Sequence, residues 1–201
     1  MSVQDELELG SDEPAAVTET DMICALLDRY SRVHGNGPRF AMASQVRSHA
    51  GHSARRTCDF AAMDLWMSGK LTMHGHEVKV SRSDWLRELK EPEKAAEFTS
   101  YMNTWWVVVP HDRIVRGGEL PDDWGLMVLR GGMLATVRKA PRRDALLLPP
   151  TRLAGLLRAV AQTAEWQARR EHERLYECKR HPGPLTLRDM KQPQRREGDV
   201  T

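Results

Sequence analysis

Three charged residues are the part of this sequence best suited to chemistry. Glu77 and Lys79 are separated only by Val78, and Asp59 precedes them in a segment of similar character. In an extended strand, side chains alternate between faces, so Glu77 and Lys79 point the same way. If Asp59 joins them on a neighbouring strand, two carboxylates meet beside an ammonium group. The two carboxylates repel each other unless a cation lies between them. Carboxylate oxygens are hard ligands of the kind that Mg²⁺ and Mn²⁺ prefer.

The local pattern predicts a hairpin that brings these residues together. Residues 57–66 and 70–81 have β character, and the three-residue loop between them ends in Gly69, which is typical of a bulged hairpin. This loop places Trp66 opposite Lys70 and, counting outward, Asp59 opposite Glu77. Asp64 then points to the other face, which favours Asp59 as the metal ligand. An error of one residue in the turn would reverse that choice.

An Asp on one strand followed by Glu-x-Lys on the next resembles the PD-(D/E)xK nuclease superfamily. The similarity extends to the surrounding residues and is closest to a phage and bacterial branch related to MmcB-like DNA-repair proteins. It covers about residues 40–110, and more loosely the segments up to residue 139. The segments that carry it are Arg-Arg-Thr-Cys-Asp at 55–59, His-Glu-Val-Lys-Val-Ser-Arg-Ser-Asp-Trp at 76–85, and Trp-Trp-Val-Val-Val-Pro at 105–110.

The resemblance implies a restriction-endonuclease-like core and metal-dependent hydrolysis of DNA phosphodiester bonds, in DNA processing, repair or recombination. Asp59, Glu77 and the Val78 carbonyl would hold Mg²⁺ or Mn²⁺, and Lys79 would orient the water or stabilise charge on the phosphate. This sequence also departs from the family. Cys58 stands where the family often has Pro, and a predicted upstream helix offers Gln45 where many members have Glu. These departures imply a weaker or single-ion site.

Further residues near the hairpin are candidates for contacts with substrate. The helix after the hairpin carries Lys94 and Tyr101, which would approach the scissile phosphate; an exposed helix face explains them equally well. The arginines around the hairpin would contact DNA phosphates and position the duplex without reading its sequence, although surface solubility is the alternative. These arginines are Arg55, Arg56, Arg82 and Arg87.

Other interpretations of the same residues stay open. Glu77 and Lys79 also fit an ion-pair ladder on a solvated sheet face. His74 and His76 share the opposite strand face and are a second, weaker candidate pair for a metal ion. The aromatic residues Trp85, Trp105 and Trp106 are predicted to be core residues and not base-stacking platforms.

The rest of the pattern predicts an α/β fold with a central mixed sheet flanked by helices. Hydrophobic periodicity and breaker residues define the elements. Helices are predicted over 22–33, over 42–49, around Trp85 to Leu89, over 92–102 and over 152–178. Strands are predicted over 105–110, 124–129 and 133–139, in addition to the hairpin.

Charge is distributed unevenly along the chain. Seven of the 28 Asp and Glu residues lie within residues 1–21, which contain no Lys or Arg. The remaining chain then has 30 basic against 21 acidic residues, a net charge of +9 that favours an anionic polymer as partner. Taken alone, such a charge is common in proteins that bind no nucleic acid.

Four regions follow from this composition. Residues 1–20 are expected to be disordered because they contain few large apolar groups. Residues 21–145 are expected to form the nuclease-like domain, residues 151–178 a long helix, and residues 179–201 a basic flexible tail. The basic residues near that end either add salt-sensitive affinity for DNA or have no function. They are Lys179, Arg180, Lys191, Arg195 and Arg196.

The sequence also indicates the cellular setting. It has no apolar stretch long enough to span a membrane, so we expect a cytoplasmic protein, in the host cytoplasm if a phage encodes it. Cys24, Cys58 and Cys178 are odd in number and widely spaced, which favours reduced thiols over disulfides or a zinc site.

Three functions are therefore compared. The first is a Mg²⁺-dependent DNA nuclease, and the second is a DNA-binding protein that keeps the nuclease fold without cleaving. The third is a protein-interaction or inhibitory factor. The form of DNA, the choice between endonuclease and exonuclease, and homodimer formation are left open by the sequence.

Overall fold

A six-stranded mixed sheet forms the centre of the fold, with helices on both faces, as predicted for an α/β protein. The computed structural model describes residues 16–31, 33–34, 37–48 and 57–180. The acidic segment up to residue 15, the basic tail after residue 180, Arg55 and Arg56 lie outside the described residues.

The strands are β1 (Val33–His34), β2 (Gly37–Pro38), β3 (Phe40–Arg47), β4 (Thr57–Asp64), β5 (Met73–Val78), β6 (Thr104–Val109), β7 (Trp124–Arg130) and β8 (Met133–Arg138). The six-stranded sheet follows chain order from β3 to β8, and within it only the pairs β5–β6 and β6–β7 are parallel. A separate two-stranded ribbon, β1–β2, precedes it. The helices are α1 (Glu19–Tyr30), α2 (Arg82–Lys90), α3 (Pro92–Thr99) and α4 (Pro150–Arg180).

The β4–β5 hairpin has the predicted register but a different loop. Phe60 pairs with His76 and Met63 with Met73, the same count that placed Asp59 opposite Glu77. The strands end earlier than predicted, and Met67–Gly69 forms a 3-10 turn. Gly69 is not the left-handed residue of this turn. Glycine is needed at this position for a steric reason. A Cβ at Gly69 would lie 1.9 Å from Asp64 Oδ2, so the lack of a side chain leaves room for the Asp64 carboxylate.

The predicted helix over residues 42–49 is wrong, because residues 42–47 belong to the edge strand β3. Its Met, Ala and Gln residues favour a helix by local propensity, and tertiary contacts override that preference. Ala43 and Val46 are buried against the sheet core. The Ser44 amide also donates a hydrogen bond of 2.9 Å to Thr163 Oγ1 of α4.

The other predicted elements are present with shifted ends. The first helix begins at Glu19, earlier than predicted, because Thr18 and Asp21 form a reciprocal capping box. Ser81 caps α2, and its Oγ accepts from the Asp84 amide at 3.2 Å. The helix after it ends at Thr99, before the predicted end. Gly131 and Gly132 form the β7–β8 turn with positive φ angles.

The hydrophobic core has two parts, one on each face of the sheet. Helix α1 packs on one face, against residues such as Phe60 and Trp106. On the other face, side chains from α2, α3 and the N-terminal half of α4 pack against the sheet. Trp85, Trp105 and Trp106 are all buried in these cores, which confirms the prediction that they are structural.

Two further expectations concern cysteines and membranes. Cys24 and Cys58 are free thiols, Cys58 being fully buried, and the side chain of Cys178 lies outside the described residues. Within the ranges that the structure describes, no helix combines the length and the apolar character needed to cross a membrane.

Candidate active site

The three residues predicted to do chemistry share one cavity. Asp59, Glu77 and Lys79 meet in an open cavity of about 320 Å³ beside the C-terminal end of β5. The first turn of α1 contributes to its wall, and α2 contributes three residues. The full lining consists of Glu19, Asp59, Glu77, Val78, Lys79, Val80, Asp84, Arg87 and Glu88.

Strand geometry and one side-chain hydrogen bond hold these groups in place. Glu77 and Lys79 lie on the same face, as alternation requires. Beyond the last backbone pair of the hairpin, the Val78 amide donates to Asp59 Oδ2 at 2.8 Å. The next amide, that of Lys79, donates to Val108 O of β6 at 3.0 Å. The end of β5 is therefore tied to both neighbouring strands at the cavity.

Lys79 forms a sheltered ion cluster with two carboxylates. Its Nζ lies 2.7 Å from Glu77 Oε1 and 3.0 Å from Glu88 Oε2. The side chains of all three residues are only 11–14% exposed, so solvent screens these charges weakly. The alternative of an ion-pair ladder on a solvated sheet face therefore does not describe Glu77 and Lys79, although their ion pair is real.

Burial and crowded charge raise the pKa values of both predicted ligands. Burial raises the pKa of Asp59 to about 6, although the hydrogen bond from Val78 and the charge of Lys79 oppose this rise. Burial and the neighbouring Asp59 raise the pKa of Glu77 to about 8. Burial disfavours the charge on Lys79, but Glu77 and Glu88 outweigh it and raise the pKa of Lys79 above its usual value.

The donor set of the cavity fits a hard divalent cation in kind. Five acidic and two basic side chains line the cavity, so carboxylate charge is in excess. Asp59 and Glu77 offer oxygen atoms on neighbouring strands, which Mg²⁺ and Mn²⁺ prefer. Across the part of the chain that the structure describes, no tight group of three or more His, Cys, Asp or Glu side chains is formed. The acidic side chains nearest to a cation would therefore be this pair, supplemented by backbone oxygen.

Gln45 does not occupy the position that the sequence suggested. It lies on β3, has a left-handed backbone with φ of 51°, and is absent from the cavity lining. Its Nε2 donates to Glu19 Oε1 at 2.8 Å, and Glu19 lines the cavity. Glu19 was missed because its segment was predicted to be disordered. The capping box of Thr18 and Asp21 was the signal that a helix begins there.

The helix after the hairpin gives a mixed result. The Tyr101 ring lies under the Arg152 guanidinium, with 4.7 Å from Arg152 Cζ to the ring centroid, and does not line the cavity. The side chain of Lys94 lies outside the described residues. Glu88, which was missed, enters the cavity from α2, and no local motif distinguishes it from the other charged residues of that helix.

Only one of the described arginine candidates reaches the cavity. Arg87 lines it, pairs with Asp84 at 3.0 Å and keeps 68% of its side chain exposed. Arg82 instead forms an ion pair with Glu119 and donates to the Ile114 carbonyl at 2.8 Å, so it holds α2 against a loop. Arg87 is therefore the described arginine best placed to contact a phosphate.

The two histidines lie away from the cavity, as their strand positions predicted. His76 is fully buried, and its Nε2 lies 2.9 Å from Tyr30 Oη. His74 Nδ1 lies 2.7 Å from Thr104 Oγ1. Both rings are thus engaged with hydroxyl groups, and the structural interpretation explains them.

Comparison with known proteins bears on the fold and not on the chemistry. No protein-family model matches the chain, and no curated protein matches it. Among solved structures it is similar to the SPO1766 protein of unknown function from Silicibacter pomeroyi, with a TM-score of 0.50 and 19% sequence identity. The match covers 85% of this chain and 97% of that one. At this identity the likeness supports the α/β architecture alone.

Proposed function

We propose that this chain is a metal-dependent deoxyribonuclease that hydrolyses DNA phosphodiester bonds in DNA processing, repair or recombination. The observation that carries the proposal is the meeting of Asp59, Glu77 and Lys79 in one cavity. The order of the surrounding secondary-structure elements also supports the proposal. A hairpin bears the acidic residues and the lysine, a helix follows, and the next long strand pairs in parallel with β5. The Asp on one strand and Glu-x-Lys on the next are the part of this order in which the chain resembles the PD-(D/E)xK superfamily.

Asp59, Glu77 and the Val78 carbonyl would hold Mg²⁺ or Mn²⁺. A bound ion of this kind supplies Lewis-acid chemistry, polarising a phosphoryl oxygen and lowering the pKa of water. The surplus of carboxylate in the cavity supports a cation there. Glu19, in the first turn of α1, also lines the cavity and adds negative charge to it.

The protein's own groups would bind and orient the substrate. Lys79, whose charge is stabilised by its carboxylate partners, would donate a hydrogen bond to the phosphate as negative charge develops on it. Arg87, exposed at the cavity, would contact a neighbouring phosphate. The Val78 amide fixes the orientation of Asp59, so that carboxylate needs little rearrangement to act.

The decisive experiment compares DNA cleavage by the full chain and two variants. Wild type should cut DNA in the presence of Mg²⁺ or Mn²⁺ and stop when a chelator is added. Asp59→Asn keeps an oxygen that accepts from the Val78 amide, and Lys79→Ala removes the ammonium. Each variant should lose on the order of 100-fold or more in rate while remaining folded.

Glu165→Gln is the matched control, because Glu165 lies on the exposed surface of α4 and pairs with Arg169. It should cut like wild type. Folding of every variant is checked by circular dichroism and urea unfolding. Undiminished cleavage by folded Asp59→Asn and Lys79→Ala would overturn the proposal.

A second candidate is a DNA-binding protein that retains the fold but does not cleave. The observation in its favour is that Lys79 already neutralises part of the Glu77 charge, and that within the described ranges no group of three metal-binding side chains forms. Such a protein would bind DNA with salt-sensitive affinity and yield no product with any divalent ion. Binding and cleavage measured on the same DNA separate the two functions.

A further inference from the structure

Glu88 occupies a position next to Lys79 that the proposed chemistry has not used. Its Oε2 lies 3.0 Å from Lys79 Nζ, on the side of the cavity formed by α2. The Glu88 side chain is 11% exposed, so the contact is sheltered and is not a loose surface pair. A carboxylate held this close to an ammonium restricts where that ammonium can go.

The helix that carries Glu88 is fixed at several points. Ser81 caps its first turn. Arg82 forms an ion pair with Glu119, which also accepts from Trp85 Nε1 at 3.1 Å. The Trp85 side chain itself is fully buried. Because these contacts tie α2 to the core and to a distant loop, the position of the Glu88 carboxylate is set by the fold.

Glu77 has two roles under the proposed function, and they compete. It is a partner of Lys79, at 2.7 Å, and also a ligand for the cation. A carboxylate that gives its electron pairs to a divalent ion becomes a poorer acceptor, and the ion repels a neighbouring ammonium. Lys79 would then move out of the cavity unless a second partner retained it.

We propose that Glu88 is a positioning residue that keeps Lys79 in place at the phosphate when Glu77 binds the metal ion. This inference rests on the proposed nuclease function. It assigns Glu88 no contact with substrate or metal. Its effect passes entirely through the ammonium of Lys79.

The test uses the full chain with Glu88→Ala and Glu88→Gln. Removing the carboxylate should lower kcat by on the order of 10- to 100-fold, the usual effect of losing a group that orients a catalytic residue. KM should change little, and any fall in Mn²⁺ affinity, measured by calorimetry, should be smaller than the fall in kcat, because Glu88 adds only its charge to the cavity. Glu88→Gln retains an acceptor oxygen at the same reach and should recover part of the loss. Glu165→Gln again serves as the control.

A second measurement does not need cleavage. Nitrogen-15 NMR detects lysine ammonium groups that are held by hydrogen bonds and exchange slowly with water. With Mg²⁺ present, a Lys79 signal, assigned by its loss in Lys79→Arg, should appear in wild type and in Glu165→Gln but not in Glu88→Ala.

The outcomes separate this inference from the proposed function. A fall in Mn²⁺ affinity equal to the fall in kcat would make Glu88 a metal ligand and overturn the positioning role. So would unchanged kcat in folded Glu88→Ala, or a persistent Lys79 signal in that variant. Absence of cleavage by wild type would count against the nuclease function, while the NMR result would still decide the role of Glu88.

Discussion

Glu77 is the residue on which the electrostatics of the cavity concentrate. It lies beside Lys79, near Asp59, and mostly out of solvent. Its charge is favourable when a cation is present and unfavourable when only Lys79 is there to neutralise several carboxylates. In the metal-free protein, the cost of ionising Glu77 should therefore appear in the stability of the fold.

We predict that Glu77→Gln becomes more stable, relative to wild type, as pH rises. The pKa of Glu77 is raised from 4.5 to about 8 by burial and by Asp59. The unfolded chain thus loses this proton near pH 4.5 and the folded chain near pH 8. Wild type loses stability across that window, and the loss is complete above it. Gln cannot ionise and escapes the loss.

Urea unfolding with a chelator present, at several pH values between 4 and 9, checks this prediction. The difference in unfolding free energy between Glu77→Gln and wild type should grow over the window and then level off. The same difference for Glu165→Gln should stay flat. A difference for Glu77→Gln that is independent of pH would contradict the prediction.

At the residue scale, the sequence predicted the strand residues of the cavity and Arg87 of α2, and it missed the helical residues Glu19 and Glu88. Asp59, Glu77 and Lys79 were found because side chains alternate along strands and because the hairpin register was counted correctly. Glu19 and Glu88 reach the same cavity from α1 and α2. Their positions depend on how helices pack on the sheet, which no local pattern records.

Among the secondary-structure elements, β5 and β6 fit together through a glycine. Gly75 pairs with Trp105, and a Cβ at Gly75 would lie 2.4 Å from the Trp105 ring. Gly75 is buried on the same strand as Glu77. The close approach of the indole to the backbone therefore sets the packing of the strand that bears the cavity residues.

We predict that Gly75→Ala lowers the free energy of unfolding by about 1–3 kcal/mol, because the added methyl group must displace a buried ring. Urea unfolding gives the value. Gly117→Ala is the matched control, since Gly117 is exposed and a Cβ added there would meet nothing within 4 Å. It should change stability by less than about 0.5 kcal/mol. Equal effects at the two positions would contradict the packing argument.

Element types were predictable where the pattern was strong. The strands β6, β7 and β8 all matched expectation. The segment that became β3 did not, because its composition suits a helix and only its neighbours make it a strand. The loop after β4 was also longer than predicted, since the Asp64 carboxylate accepts from the Trp66 amide and organises a wider turn.

For the whole molecule, α4 is part of the folded unit and not an appendage to it. Thr163 is buried and accepts the Ser44 amide of β3, while Ala159 belongs to the core on that face. Helix α4 therefore packs on the edge strand β3, whose local sequence favours a helix. A boundary near residues 145–151 would cut through this packing.

We predict that a chain ending at residue 149 does not unfold cooperatively, because β3 would lose the helix that covers it and the Ser44 amide would lose its acceptor. A chain ending at residue 180 keeps all of α4 and is the control. Urea unfolding followed by tryptophan fluorescence distinguishes them. A sharp transition in the shorter chain, with the midpoint of the control, would contradict the prediction.

Three buried indoles of the core have an optical consequence. Trp85 and Trp105 each lie edge-on to Trp124, with ring centroids 6.4 Å and 6.1 Å apart. Chromophores this close and this steeply inclined couple their electronic transitions, and the sign and strength of the resulting circular dichroism depend on the angle between them. Trp85 belongs to the helix that carries Glu88 and Arg87, so any change in the orientation of that helix would alter this exciton band. The tryptophan spectrum of unlabelled protein would thereby report whether α2 keeps its position when a candidate ligand is added.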